Sequence, residues 1–324
     1  MPDPIWYHIR SSRSQPPGLA GSDSQRARTY VAALEQFEEL MEASATLSAP
    51  SRPLTMFYAL AQAGQAIVAA HFPKPPPRSH GLTLPDPGPN LMATAVQVHG
   101  NGWYQAVSEA VASPLLQKAE LGQLWAAIPD LARTPLPPPA RAKALRVVPV
   151  LEGPLRFTPA KTAVAHVLFD PMPMTPEEAA DRLRNYPQAA PAFIATVPGT
   201  NPPGMITSYV GSEPSIRVHF SLGGNEEPLP QLTILESRAP EYRFYDHYWL
   251  VPAMSEGQVL SPLMLWWALL FGLSMLARYH PNAWVAALEV NRSDLAVPLE
   301  DALDMAQSAV PHLVLEALLR KPIR

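Results

Sequence analysis

Apolar positions recur at helical spacing towards both ends of the chain and alternate through its middle. Tyr30, Leu34, Phe37, Leu40 and Met41 share one face of a helix predicted from about Asp23 to Ala45, with Asp23 or Ser24 as its cap. A second helix runs from Ser51, taken as its cap, to Phe72, with Pro53 in the first turn, where a missing N–H costs little. Residues 1–25 read as an extended arm pinned by Trp6 and Tyr7. Beyond a proline-rich loop, TAVQVH alternates as a strand, and 103–112 and 114–128 read as short helices. Candidate strands then follow at 146–152, 156–158, 163–169, 205–210, 215–222, 231–235 and 242–252. One helix interrupts them at 175–185, with Thr175 as cap, Pro176 at its start and Glu177 and Glu178 in its first turn. Helices return at 261–280, from Asn282, and at 298–320.

This order predicts an α+β protein. Its mainly helical core is formed by the N- and C-terminal helices, with a strand-rich insert in the middle. The expected parts are an arm at 1–25, a helical part at 26–144, a strand-rich part at 145–255, and a helical part at 256–324 packing on 26–144.

One segment decides the class. In SPLMLWWALLFGLSMLARYHPNAW the stretch from Pro262 to Ala277 is uncharged. It is shorter than the roughly 20 residues of a spanning helix. A helix apolar on all sides also suits a buried core, and that is the expectation, with no stable membrane insertion. The alternative is an effector that exposes helix 261–277 and perturbs membranes.

Composition narrows the classes. Apolar residues make up 47% of the 324, enough for a core. Charged residues are 16%, and 40 prolines fill part of the deficit. Such a surface leaves apolar patches to cover, so self-association or a protein partner is expected. The net charge of −4 and the lack of a basic stripe argue against a dedicated DNA-binding surface. With no cysteine there is no disulfide, thiolate metal site or cysteine nucleophile. The start MPDPIWYHIR lacks the basic end and apolar run of a secretion signal, and a cytoplasmic protein is expected.

Candidate chemistry is sparse. The densest polar-aromatic cluster is ESRAPEYRFYDHYW. On a strand, Arg243, Tyr245 and His247 share one face, which with Arg238 can hold a phosphate or a base. A solvated strand face explains the same residues. His80 and His99 each precede a glycine, which lets a backbone approach a ligand closely. No HExxH or close His/Asp spacing makes a metal site of them, and neither metal nor cofactor is implied. Arg278 ends the long apolar helix, where a cation suits the helix dipole, and it stands ready to reach a cleft. The glycines at 199–204 and 223–224 are turn chemistry, without a Walker lysine or dinucleotide spacing.

Two segments carry a resemblance. The first is Ser51-Arg52-Pro53-Leu54 with Phe57-Tyr58-Ala59-Leu60, Gln65-Ala66-Ile67 and His80-Gly81-Leu82. The second is Leu269 to Tyr279 with Pro281 and Trp284. Together they resemble the YaaC-like family of bacterial proteins over most of the chain. The resemblance implies a cytoplasmic bacterial protein of this size and supplies no catalytic residues. The 51–72 helix is also similar to that of HEPN-type proteins, many of them ribonucleases with four to six residues between an arginine and a following histidine. None of the nine histidines has that spacing; the nearest pair is Arg243 and His247. The favoured reading is a non-enzymatic binding or interaction protein, in a bacterial stress or antiviral defence system. The alternative is a HEPN-like nuclease or nucleotide hydrolase using Arg243 and His247, with a nucleotide or nucleic acid as ligand.

Overall fold

The computed structural model describes residues 4–85, 90–134, 136, 142–150, 162–190, 192–197, 199, 204–221, 248–254 and 257–320. The chain divides into two compact units, Met1–Arg141 with Leu260–Ile323, and Ala142–Val259. The class is α+β, with long helices at the two ends of the chain and the larger sheet in the middle.

The first unit begins with helix α1 (Pro4–Ser12), where an extended arm was expected. Pro4 starts it, and Ile5 and Ile9, one turn apart, are both buried. Trp6 sets its ring 5.4 Å from Phe37 on α2 (Ser24–Ala45). Arg10 and Arg13 of this N-terminal stretch both pair with Glu38 of α2, a carboxylate only 7% exposed. Asp23 caps α2 by accepting from Gln25 N and Arg26 N at 2.8 and 3.1 Å. The next helix, α3 (Arg52–His71), does not use Ser51 as a side-chain cap. Ser51 N and Arg52 N already donate to Ser48 O, so the chain is winding before the helix begins. At the other end of α3, Arg26 Nη1 donates to Ala69 O and Phe72 O at 3.2 and 2.9 Å, satisfying carbonyls the helix leaves open.

A three-stranded antiparallel sheet follows, of β1 (Leu82–Thr83), β2 (Ala95–Val98) and β3 (Lys118–Glu120), in the order β1-β2-β3. Between β2 and β3 lies α4 (Trp103–Ala110), and β3 runs straight into α5 (Leu121–Ala127). The helix expected over 114–128 is therefore a strand and a shorter helix. Pairing of Lys118 with Gln97 and of Glu120 with Ala95 holds the first part extended. Gln123 Oε1 then accepts from Glu120 N at 2.9 Å and closes the start of α5.

The second unit holds a six-stranded antiparallel sheet. Its strands are β4 (Leu145–Pro149), β5 (Thr162–Val167), β6 (Ala192–Ile194), β7 (Thr207–Val210), β8 (Glu213–Ser221) and β9 (Tyr248–Leu250). The order is β6-β8-β5-β4-β9, and β7 pairs with β8 beyond the end of β6. The helix α6 (Pro176–Leu183), capped by Thr175, adds Ala179 and Leu183 to the unit's core. Leu145, Val147, Ala163, Ala165, Val167, Ile216, Val218 and Phe220 complete the same core from one face of the sheet.

The chain then returns to the first unit with α7 (Pro262–Tyr279), α8 (Pro281–Ala287) and α9 (Ala296–Leu319). The apolar run is α7, long and apolar enough to cross a membrane by length and composition, yet 78% buried inside the protein. It packs against α3 and α5. Small residues permit the approach: a Cβ on Gly64 of α3 would lie 2.2 Å from Cη2 of Trp267, and one on Gly272 would lie 2.4 Å from a methyl of Leu121. Phe57 and Phe271 meet edge to face at 5.4 Å. The indole N–H of Trp266 donates to Asp130 Oδ2 at 2.9 Å, and that of Trp284 to Pro50 O at 2.9 Å. The other Asp130 oxygen is buried without a hydrogen-bond partner. Burial pushes the Asp130 carboxyl up to about 7, against the bond from Trp266.

Two outcomes are expected. In an exposed helix Gly→Ala stabilises by roughly 0.5–1 kcal/mol. Gly64→Ala should instead destabilise by about 1–3 kcal/mol, because the methyl meets Trp267. Urea denaturation followed by tryptophan fluorescence reads the sign, and a stabilised variant would contradict the packing. Asp130 titrates higher when folded, so the fold favours its protonated form and its contribution to stability falls as pH rises from about 4 to about 7. Asp130→Asn should remove that loss, widening its advantage over the natural chain by up to about 1.4 kcal/mol per pH unit in this window. Parallel pH–stability curves would show that Asp130 ionises normally.

Candidate functional site

Of the residues singled out by sequence, Arg238, Arg243, Tyr245 and His247 lie outside the described residues. His80 and Arg278 are both described, and the fold of the first unit brings them together.

His80 is positioned by its backbone. Ser79 O and His80 O accept from Trp103 N and Tyr104 N at 2.9 and 3.1 Å, so this segment occupies the first N–H groups of α4. Gly81 turns the chain with φ of +81°, a conformation that glycine adopts without strain. Its carbonyl accepts from Gln105 Nε2 at 2.9 Å and from His99 N at 3.0 Å. Gly102 lies so close that a Cβ there would sit 2.2 Å from Gly81 N. Gly81 and Gly102 thus serve backbone-to-backbone packing, whereas Gly100, after His99, turns the chain with φ of +59° and faces open space.

The His80 ring extends over α3, 5.4 Å from Phe57. Its pKa is held below the usual histidine value, first by loss of hydration and second by the charge of Arg278. Arg278, in the last turn of α7, donates from Nη1 to Tyr58 Oη at a long 3.4 Å and lies 5.0 Å from the Tyr279 ring centre. It has no carboxylate partner among the described residues. Tyr58 and Tyr279 are 38% and 55% exposed, which makes this an open edge rather than a closed pocket. A neutral histidine, an unpaired guanidinium and exposed phenols can bind an anionic or carboxylate-bearing group. They form no nucleophile–base pair. Among the described residues no three metal-ligating side chains cluster.

The second unit carries another polar cluster, missed in the sequence. On the face of its sheet away from the α6 core, Arg217 of β8 stands directly opposite His166 of β5. His219, two residues on, stands opposite Phe193 of β6, and their rings stack at 4.8 Å and 25°. Ser215 Oγ lies 3.3 Å from His166 Nδ1. Desolvation and then the charge of Arg217 lower the pKa of both histidines. The available signal was the alternation in SIRVHF, which puts Arg217 and His219 on one face.

The two units define an α+β chain with an exposed Arg–Tyr–His edge on one and a cationic sheet face on the other. The chain matches the family described as YaaC-like Protein over residues 10–318, and it belongs to that family. No curated protein and no solved structure matches it.

If Arg278 holds the His80 pKa down, Arg278→Gln should raise it towards the ordinary value. Titration of the His80 imidazole by NMR measures this; an unchanged midpoint would mean that the two side chains do not sense each other.

Proposed function

We propose that the protein is a non-enzymatic interaction protein whose contact surface is the edge formed by Tyr58, Arg278 and Tyr279, and that a second copy of the chain is its partner. The observation that carries this reading is Arg278, exposed, without a carboxylate partner among the described residues, and flanked by exposed tyrosines from two helices. Tyrosine and arginine are the side chains that most often dominate the binding energy of protein contacts. The chain has 28 acidic residues against 24 basic ones, so a second copy offers carboxylates to meet the guanidinium. The low share of charge, 16%, favours self-association as well. The likeness of the 51–72 helix to HEPN bundles supports a setting in bacterial stress or antiviral defence, with no catalytic step.

Sedimentation velocity over a series from low to high micromolar protein tests the reading. The natural chain should form a dimer, and Arg278→Glu should weaken it by roughly tenfold or more. A natural chain that stays monomeric throughout, or a variant dimer of unchanged strength, would overturn it.

A further inference from the structure

On the sheet face of the second unit, the described residues leave one charge without a partner. Arg217 is half-buried and has no ion pair among the described residues. The described carboxylate nearest in sequence, Glu213, pairs with Arg146 at 2.6 Å. The neighbours of Arg217 across and along the strands are His166 and His219, which cannot neutralise a cation. Arg217 Nε and His219 Nδ1 are both buried with no hydrogen-bond partner. A buried donor without an acceptor costs free energy, and an unpaired guanidinium costs more. Among the described residues no anionic group accepts from this cluster, and its donors suit one that would.

The chemistry of the missing group can be read from the donors. A guanidinium fork with an imidazole on either side offers more donors than a carboxylate can use, and they come from more than one direction. A phosphate, with several terminal oxygens and a charge near −2, suits them better. Beside this cluster Phe193 keeps one side of its ring on His219 while the residue remains 45% exposed. That leaves an aromatic face next to the cation, on which a planar ring can stack.

We propose that Arg217, His166, His219 and Phe193 form a binding site for a phosphate monoester carried on a planar ring system, a nucleoside 5′-monophosphate being the simplest example. Arg217 binds the phosphate between the two imidazoles, and the ring lies on Phe193. The site is independent of the Arg278 edge and of self-association.

Imidazole NMR of the full chain in phosphate-free buffer tests it, with adenosine 5′-monophosphate, inorganic phosphate and adenosine as separate probes. The nucleotide should move the His166 and His219 signals to saturation while leaving His80 in place. Inorganic phosphate should move the same two signals more weakly. Arg217→Gln should weaken nucleotide binding roughly tenfold or more. Phe193→Ala, at an exposed position that does not endanger folding, should weaken the nucleotide and leave inorganic phosphate unchanged. No saturable shift with either phosphate probe would overturn the site, as would equal binding by Arg217→Gln. An unchanged nucleotide affinity in Phe193→Ala would overturn the ring contact.

Discussion

A helix with no polar side can exist in water only if other elements surround it, and in this protein that helix is α7. Met264, Leu265, Trp266 and Trp267 follow one another right around its axis, yet none is more than 1% exposed. Its neighbours are shaped accordingly. Gly64 leaves α3 flat where Trp267 lies, and Leu121 of α5 fills the notch at Gly272. The polar cost is met unevenly. Trp266 and Trp284 find acceptors, whereas the indole N–H groups of Trp267 and Trp125 are buried without one. The helical unit is held by shape at these points more than by hydrogen bonds.

The same constraint explains where polar chemistry is found. Inside the first unit there is little room for it, so His80, Tyr58 and Arg278 gather where α7 emerges at its C-terminal end. In the second unit α6 and the sheet bury one face, and the opposite face carries Arg217 and the two histidines among buried Val164, Ser215 and Trp249. The first cluster lies on a surface its core leaves over, whereas the second is part-buried on the sheet.

Much of the architecture was readable beforehand because local signals carried it. Asp23 and Thr175 act as caps where a short polar side chain precedes apolar helical spacing. The α+β class followed from the change of period along the chain. The N-terminal helix was hidden because its apolar side is just Ile5 and Ile9, and its stability comes from Glu38, distant in sequence. Lys118–Glu120 was misread because strand pairing with β2 overrode a helical pattern. Site residues divide the same way. His80 and Arg278 drew notice for local reasons, a following glycine and a helix end. The pairing of His166 with Arg217 depends on the register of β5 against β8, which no single stretch of sequence encodes.

The helical unit is assembled from two separate stretches of chain, with the whole of Ala142–Val259 between them. During synthesis α3 leaves the ribosome long before α7 exists. At about 5–20 residues per second the wait is some tens of seconds. For that time the α3 surface that will receive Trp267 has no cover, while the intervening sheet unit can already fold on its own contacts. The nascent chain must keep an apolar helix from wrong partners until its last stretch, from Pro262 on, arrives. Its dependence on chaperones should therefore be set by the order of translation and not by the final stability of the fold.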